Sequence, residues 1–216
     1  HLEWYTPPLD DGDDKPSNIP RQSPITLQDH TRHVIDFLDG ALAKLPVDFL
    51  DEFRLAAVSH DLGKADERFQ AFMRDASRTE AYLNNVSTPL ILAKSGSLPL
   101  NRVESRAARH RAGLPRGFRH EMLSVQLLEA SGRLPSDNHS AELILHLVAA
   151  HHGHARPFAP VVIDEAPPDV EVAGMRLSGN QRLSSPPHRI DSGIAERFGV
   201  LTKRFGWWGL AFLEAL

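Results

Sequence analysis

The segment "SHDLGK", residues 59 to 64, places an imidazole beside a carboxylate in a stretch that otherwise has the pattern of a buried helix. Apolar residues recur at helical spacing before it, and this spacing continues onto His60 and Asp61, so both side chains should point inward. A carboxylate removed from water is costly unless it has polar partners. The sequence therefore predicts that other parts of the chain bring partners to Asp61. The apolar residues that define this inward face are Leu50, Phe53 and Ala57.

Several other histidines occupy inward positions of predicted helices. One inward histidine is more often a structural core residue than a ligand, but their joint occurrence on four predicted helices favours a metal site. Neutral imidazole and carboxylate groups suit manganese, iron, cobalt, nickel or zinc. Six such groups could hold one ion with open positions, or two ions that share a ligand. The candidate ligands are His30, His60, Asp61, His120, His151 and His152.

Composition narrows the choice of chemistry. The 216 residues include no cysteine, so disulfides, thiolate ligands and cysteine nucleophiles are excluded, and a metal must be held by nitrogen and oxygen. A net charge of -4 argues against a generally basic nucleic-acid binder but leaves local basic patches open. No apolar run approaches a bilayer span and no signal peptide is visible, so the sequence predicts a cytoplasmic protein.

The elements that must position these residues are predominantly helical, so the predicted fold class is all-α. Residues 1–24, rich in proline and aspartate, should form an extended arm or linker. Residues 155–190, rich in proline, should form a long surface loop with short strands at "VVI" and "VEVAG". Helices are predicted at about 26–45, 47–62, 66–74, 88–94, 119–131, 138–151 and from 193 onward, with Thr26, Asp66 and Ser192 as N-caps and Gly63 ending the second helix.

An arginine-rich segment precedes His120. Its first arginines recur at helical spacing, and Glu104 is the acidic residue among them. Arginine runs are usually solvated faces, but this one could guide a phosphate backbone toward the candidate metal site. The candidate DNA-binding residues are Arg102, Arg106, Arg109, Arg111, Arg116 and Arg119.

Four motifs, taken in order, resemble a known family. They are "LQDHTRHV", "HDLGKADERFQAF", "FRHEMLS" and "AAHHGHARP". The sequence is similar to the HD superfamily of metal-dependent phosphohydrolases and, more narrowly, to the HD nuclease domain of the CRISPR-associated type I helicase-nuclease. The resemblance covers residues 25–216 and implies an HD-domain helical bundle. It also implies that the six candidate ligands form a two-metal site with Lys64 beside it.

The same resemblance implies a role in antiviral defence. Expected partners are single-stranded DNA, a helicase domain that is fused or separate, and the CRISPR RNA-guided surveillance complex, with no membrane. Proteins of this family supply a further aspartate from the last helix, in a run resembling "LADxxxS" that does not occur here. We expect this aspartate beyond Leu216, so that the domain is truncated at its C-terminal end. Asp191 is the nearest alternative, although its place before Ser192 favours a structural role.

The expected reaction is hydrolysis of phosphodiester bonds by a DNA endo- or exonuclease. Asp61 should bridge two ions or anchor one, and Lys64 could contact a nonbridging phosphoryl oxygen as a point charge. An exposed lysine after a glycine cap is the alternative for Lys64. The expected cofactors are one or two divalent transition metal ions, with manganese, nickel, cobalt or iron preferred and magnesium or zinc as alternatives. Two other functions stay open, a phosphohydrolase of small nucleotides and a helical docking module without catalysis.

Overall fold

The computed structural model describes residues 23–45, 48–80, 83, 90–95 and 102–216, with the side chain of Arg102 outside the description. Nearly all of the predicted arm, residues 1–22, and part of the helix predicted at 88–94 lie outside these ranges. The helices are α1 (Leu27–Leu42), α2 (Leu50–Ser59), α3 (Glu67–Met73), α4 (Arg102–Arg111), α5 (His120–Ser131), α6 (Asn138–Ala150), α7 (Gly179–Ser184) and α8 (Ile194–Ala215). The short strands are β1 (Ile25–Thr26), β2 (Leu92–Lys94), β3 (Val170–Val172) and β4 (Met175–Leu177). The all-α prediction is confirmed, since the strands of the described residues form two small antiparallel pairs, β1 with β2 and β3 with β4.

Side-chain caps fix the beginnings of the helices that approach the candidate ligands. Thr26 accepts a hydrogen bond from the backbone N–H of Asp29 and begins α1, as the sequence predicted. Asp66 caps α3 through the N–H of Arg68, which also agrees with the sequence. The predicted cap at Ser192 is wrong. Ser192 belongs to a short 3-10 turn, and Gly193 with φ +80° occupies the capping position of α8.

Helix α5 lies between two hydrophobic cores, which explains why it is buried almost all round. Met122, Val125 and Leu128 join the core formed with α1, α2, α6 and α8. Leu123 and Leu127 join a second core that includes α3, α4 and the β3–β4 hairpin. The sequence predicted that Leu123, Leu127 and Leu128 face inward, and all three are buried. A helix clamped on two sides holds its first residue, His120, in a fixed position.

The second predicted helix is shorter than expected. Helix α2 ends at Ser59, and a 3-10 turn over Leu62–Ala65 follows His60 and Asp61. Gly63 lies inside this turn and therefore does not end α2. Leu50 is 39% exposed, so its assignment to the inward face is also wrong, whereas Phe53 is buried. The residue pair His60–Asp61 thus lies at a junction between two kinds of helix, where its side chains leave the regular helical pattern.

The region 155–190 is more ordered than a surface loop. "VEVAG" forms β3 and its turn, as predicted, but residues 161–163 form no strand and α7 was not foreseen. Residues 92–94, predicted as helix, form strand β2 because Leu92 and Lys94 pair with β1. A buried ionic network fixes the region to α3. The guanidinium of Arg68 contacts both oxygens of Asp164, at 2.9 and 2.7 Å, and Asp66, which Arg182 approaches to 3.0 Å.

Helix α8 is divided by Gly206, whose φ of +72° and ψ of 167° interrupt the helical backbone. Each half contacts α6 through a pair of charged or polar side chains, one of which is buried. In the first half, Arg197 contacts Glu142 at 2.7 Å. In the second, Glu214 contacts Nε2 of His146 at 2.6 Å. Within the described residues, no helix is long and apolar enough to cross a membrane.

Candidate metal centre

Asp61 lies at the centre of a cluster of imidazoles that come from four parts of the fold. Its Oδ2 atom is 3.2 Å from Nε2 of His30, on α1, and 3.3 Å from Nε2 of His60. Its Oδ1 atom is 3.0 Å from Nε2 of His120, the first residue of α5, and 3.9 Å from Nε2 of His151, just after α6. Each imidazole therefore turns a ring nitrogen toward one carboxylate.

These side chains form two potential ligand groups that share Asp61. One group contains His30, His60 and Asp61, and the other contains Asp61, His120, His151 and His152, with the donor atoms of each group within 4.8 Å of one another. Nε2 of His152 lies 3.2 Å from Nε2 of His120. All six predicted ligands are thus brought together. One carboxylate with two oxygens, each facing a different set of imidazoles, is the arrangement expected of a bridging ligand.

Backbone carbonyls orient two of the imidazoles. Nδ1 of His60 is 2.7 Å from the carbonyl of Ala57, and Nδ1 of His151 is 2.8 Å from the carbonyl of Val148. Because a carbonyl only accepts, Nδ1 carries the proton in each neutral ring, and the lone pair of Nε2 points toward Asp61. Histidine ligands of metals typically make such a bond through their other ring nitrogen.

The chemistry of the donors fits a divalent cation. In the arrangement just described, the Nε2 lone pairs of His60 and His151 face carboxylate oxygens, so acceptors oppose acceptors. Among the described residues, Nε2 of His151 and both Asp61 oxygens are buried without a hydrogen bond of good geometry, although Lys64 forms an ion pair with Oδ2. Two ligands each about 2.1 Å from an ion lie roughly 3 Å apart when they subtend a right angle. The observed separations of 3.0 to 3.3 Å match this spacing.

Electrostatics hold the ligands in the forms that bind metals. Burial alone would raise the pKa of Asp61, but the nearby imidazoles of His120, His30 and His60 outweigh burial and hold that pKa well below its usual value. Burial also lowers the pKa of His151 well below its usual value, and the neighbouring His152, His120 and His60 reinforce this effect. Asp61 is therefore ionised and His151 neutral, as ligands must be.

Lys64 belongs to the same cluster. Its Nζ is 2.9 Å from Oδ2 of Asp61 and donates to the carbonyl of Ala93, in β2, at 3.1 Å. Lys64 is buried, so the alternative of an exposed lysine is wrong. Sequence reasoning overlooked the support that Gln70 gives this lysine. The Gln70 amide donates to the Lys64 and Leu92 carbonyls and accepts from the N–H of Leu92, and an amide within the buried α3 was the available signal.

The candidate DNA-binding arginines do not share one surface. Arg106, Arg111 and Arg116 are exposed, and Arg111 forms an ion pair with Asp75. Arg109 is buried and stacks 4.7 Å from the ring centre of Phe72, and Arg119 is also buried. The side chain of Arg102 lies outside the described part of the structure. Helical spacing could not reveal that α4 packs its Arg109 side against α3.

Asp191, the alternative ligand, and two further histidines, His33 and His154, stay apart from the cluster. Asp191 is exposed and accepts two hydrogen bonds from Arg189, and neither Asp191 nor His154 belongs to a ligand group. His33 is exposed, although it lies one turn from His30 on α1. The cluster combines a buried base with a partly open rim. Asp61 and His120 are each 2% exposed, whereas His30, His60, His151 and His152 are partly accessible.

Fold and site together define a class. A helical domain in which a histidine–aspartate pair after one helix meets imidazoles from three other helices is a metal-dependent hydrolase of the HD type. The family model described as "Cas3, HD domain" matches residues 27–174, and the chain belongs to this family. The family places the chain among the hydrolases, as a metal-dependent nuclease of CRISPR defence. No curated protein and no solved structure matches the chain.

Proposed function

We propose that this domain hydrolyses phosphodiester bonds of single-stranded DNA during CRISPR interference. The observation that carries this proposal is the pair of ligand groups that share Asp61. A shared carboxylate would hold two divalent ions close together, which suits an in-line displacement at phosphorus. In that displacement a water oxygen bonds to phosphorus, the bond from phosphorus to the leaving sugar oxygen breaks, and a proton passes to the leaving oxygen.

Each ligand group would hold one ion. His30, His60 and Asp61 would bind the first, and His120, His151 and His152 would bind the second with Asp61. Ions in these positions would neutralise phosphoryl charge and lower the pKa of a water molecule toward about 7. Nitrogen-rich sites of this kind favour manganese, iron, cobalt or nickel over magnesium. The chain itself supplies the orientation of the rings, through the carbonyls of Ala57 and Val148.

Lys64 has two roles in this proposal. It neutralises Asp61 and keeps Oδ2 in place, because its Nζ contacts both Asp61 and the Ala93 carbonyl. An ammonium has three donors, so a third hydrogen bond can reach a phosphoryl oxygen. The exposed Arg106, Arg111 and Arg116 would attract the DNA backbone without reading its sequence.

The DNA substrate also suggests the wider setting. A single strand must first be separated from its complement, so we propose that the domain works with a helicase, fused or in trans, and with a CRISPR RNA-guided surveillance complex in the cytoplasm. We further propose that residues 25–216 belong to one nuclease domain. Residues after the family match support this extent, because Leu201, Leu210 and Leu213 of α8 share a core with α5 and α6.

The test is a cleavage assay on labelled single-stranded DNA, duplex DNA and nucleoside triphosphates, with manganese, nickel, cobalt, iron, magnesium or zinc added to chelator-treated protein. We expect cleavage of the single strand with a transition metal and none with His120→Ala. Hydrolysis of triphosphates alone would instead assign a small-nucleotide phosphohydrolase. Failure to bind any of these metals, measured by calorimetry, would assign a docking module.

A further inference from the structure

Ser124 connects the two halves of the candidate metal centre. Its hydroxyl is fully buried on α5, one turn after His120. Oγ accepts a hydrogen bond from the N–H of Gly63 at 2.8 Å, and it lies 2.8 Å from the carbonyl of His60 and 3.1 Å from that of His120. One hydroxyl therefore joins α5 to the turn that carries His60 and Asp61.

The connected carbonyls belong to ligands of different groups. His60 is in the group with His30, and His120 is in the group with His151 and His152. Asp61 is the side chain that both groups share, but one side chain cannot by itself fix the distance between two backbones. Ser124 fixes this distance at the level of the main chain.

The turn that contains Gly63 packs directly against the backbone of α5. A Cβ atom on Gly63 would lie 2.0 Å from the carbonyl oxygen of His120, so the turn approaches α5 as closely as a residue without a side chain allows. At this distance a small side chain that both accepts and donates is required. Serine meets this requirement, whereas alanine would leave the Gly63 N–H and the His60 carbonyl without their buried partner.

From this geometry we infer that Ser124 is a positioning residue that sets the separation of the two metal ligand groups. The inference rests on the proposed two-ion site and goes beyond it, since the Ser124 hydroxyl contacts backbone groups and would act on the ions through the candidate ligands. Loss of the hydroxyl lets α5 move relative to the His60–Asp61 turn. The second ion then binds more weakly, because its ligands no longer converge with those of the first.

The probe for this inference is Mn²⁺ alone, added to the whole chain after treatment with chelator. Calorimetry gives the stoichiometry and affinity, and electron paramagnetic resonance shows whether two bound Mn²⁺ ions are spin-coupled. For Ser124→Ala we expect affinity for the second ion to fall about 10- to 100-fold, the range for loss of a group that orients ligands. The coupled signal should be lost at Mn²⁺ concentrations that saturate the first site.

Two further variants separate positioning from folding. Ser124→Cys keeps a side chain of similar shape with much weaker hydrogen bonding, so it should lose the coupled signal even where Ser124→Ala unfolds. Ser131→Ala is the control, because the Ser131 hydroxyl also bonds to backbone groups, the Leu128 carbonyl and the Arg133 N–H, but at the far end of α5. The Mn²⁺ affinity and the spin coupling of Ser131→Ala should match those of the unmodified protein.

The outcomes are distinguishable. A coupled pair in the unmodified protein that persists, with unchanged affinity, in both Ser124 variants overturns the inference and leaves the proposed function intact. Reduced thermal stability of those variants with unchanged coupling also overturns the inference, since it assigns Ser124 a purely structural role. If the unmodified protein binds no Mn²⁺ pair, the two-ion proposal fails, and the inference fails with it.

Discussion

Nε2 of His120 lies 3.0 Å from Oδ1 of Asp61, and both residues are 98% removed from solvent. The contact joins the first turn of α5 to the turn after α2, and the two residues are 59 positions apart in sequence (120 − 61). Its burial keeps this half of the centre rigid, while the remaining imidazoles at the rim stay accessible. A centre with a rigid base and an open rim can hold ions firmly and still admit a long substrate.

Replacement of Asp61 by asparagine should abolish metal binding and DNA cleavage with little loss of helical content. Asparagine keeps the shape but removes the charge shared by both ligand groups, so the loss of affinity should exceed the 10- to 100-fold typical of groups that only orient ligands. Calorimetry with Mn²⁺ and circular dichroism measure the two effects. Asp191→Asn is the control and should leave both unchanged. Tight binding in Asp61→Asn would contradict the bridging role.

Reversal of charge at Arg106 and Arg116 should weaken single-stranded DNA binding, because both side chains are exposed on the arginine-rich segment that precedes His120. Each lost phosphate contact should reduce the slope of log affinity against log salt by about 0.7. Fluorescence anisotropy over a range of salt concentrations gives this slope. Arg176→Glu, at the exposed side chain of β4, is the control. An unchanged slope in the double variant would place the DNA elsewhere.

Gly63→Ala should destabilise the domain, because the new methyl group would meet the His120 carbonyl at 2.0 Å. Overpacking of this kind typically costs about 1 to 3 kcal/mol. Gly40→Ala provides a matched control, since its methyl would meet no atom within 4 Å and would stabilise α1 by about 1 kcal/mol. Urea unfolding measures both changes. Equal stability of the two variants would show that the turn can move away from α5.

Stability should fall as pH decreases below about 6.5, in part through His146. Burial lowers the pKa of this imidazole, although Glu214 opposes the effect, so the unfolded chain binds a proton at a higher pH than the folded one. The free energy of unfolding then decreases from the ordinary value near 6.5 down to the lowered pKa. Denaturant unfolding of His146→Gln at several pH values should show a shallower slope. The same substitution at His139, on the same helix, is the control.

Local patterns predicted most of the helices and the five histidines that converge on Asp61, because each of these residues lies on or next to an apolar helical face. Thr26 and Asp66 indicated where α1 and α3 begin, because an N-cap side chain bonds to a backbone N–H within three residues. The support around the ligands was less visible. Gln70 and Ser124 act through contacts with backbone groups 22 and 61 residues away, and a single sequence does not show which distant carbonyl a buried hydroxyl will meet.

The prediction that the arginine-rich segment forms one basic surface was wrong for a related reason. Helical spacing groups Arg106 with Arg109 along α4, but it cannot show which side of a polar helix packs against the domain. Arg109 extends over Phe72, whose ring face attracts the guanidinium. In the same way, Leu92 looked helical from its apolar neighbours. Its pairing with Thr26 across β1 and β2 is a tertiary contact that overrides local preference.

The hairpin of β3 and β4 bears on how this protein can be dissected. The family match ends at residue 174, in the turn between the two strands. A protein cut there would keep Val170 and Val172 but lose Met175 and Leu177, which complete the same buried cluster. It would also lose Arg182, one of the two arginines that contact buried Asp66. Such a fragment would expose the hydrogen-bonding edge of β3 and the apolar side chains that β4 covers. Aggregation of a fragment trimmed to the family boundary would therefore report on the cut and not on the domain.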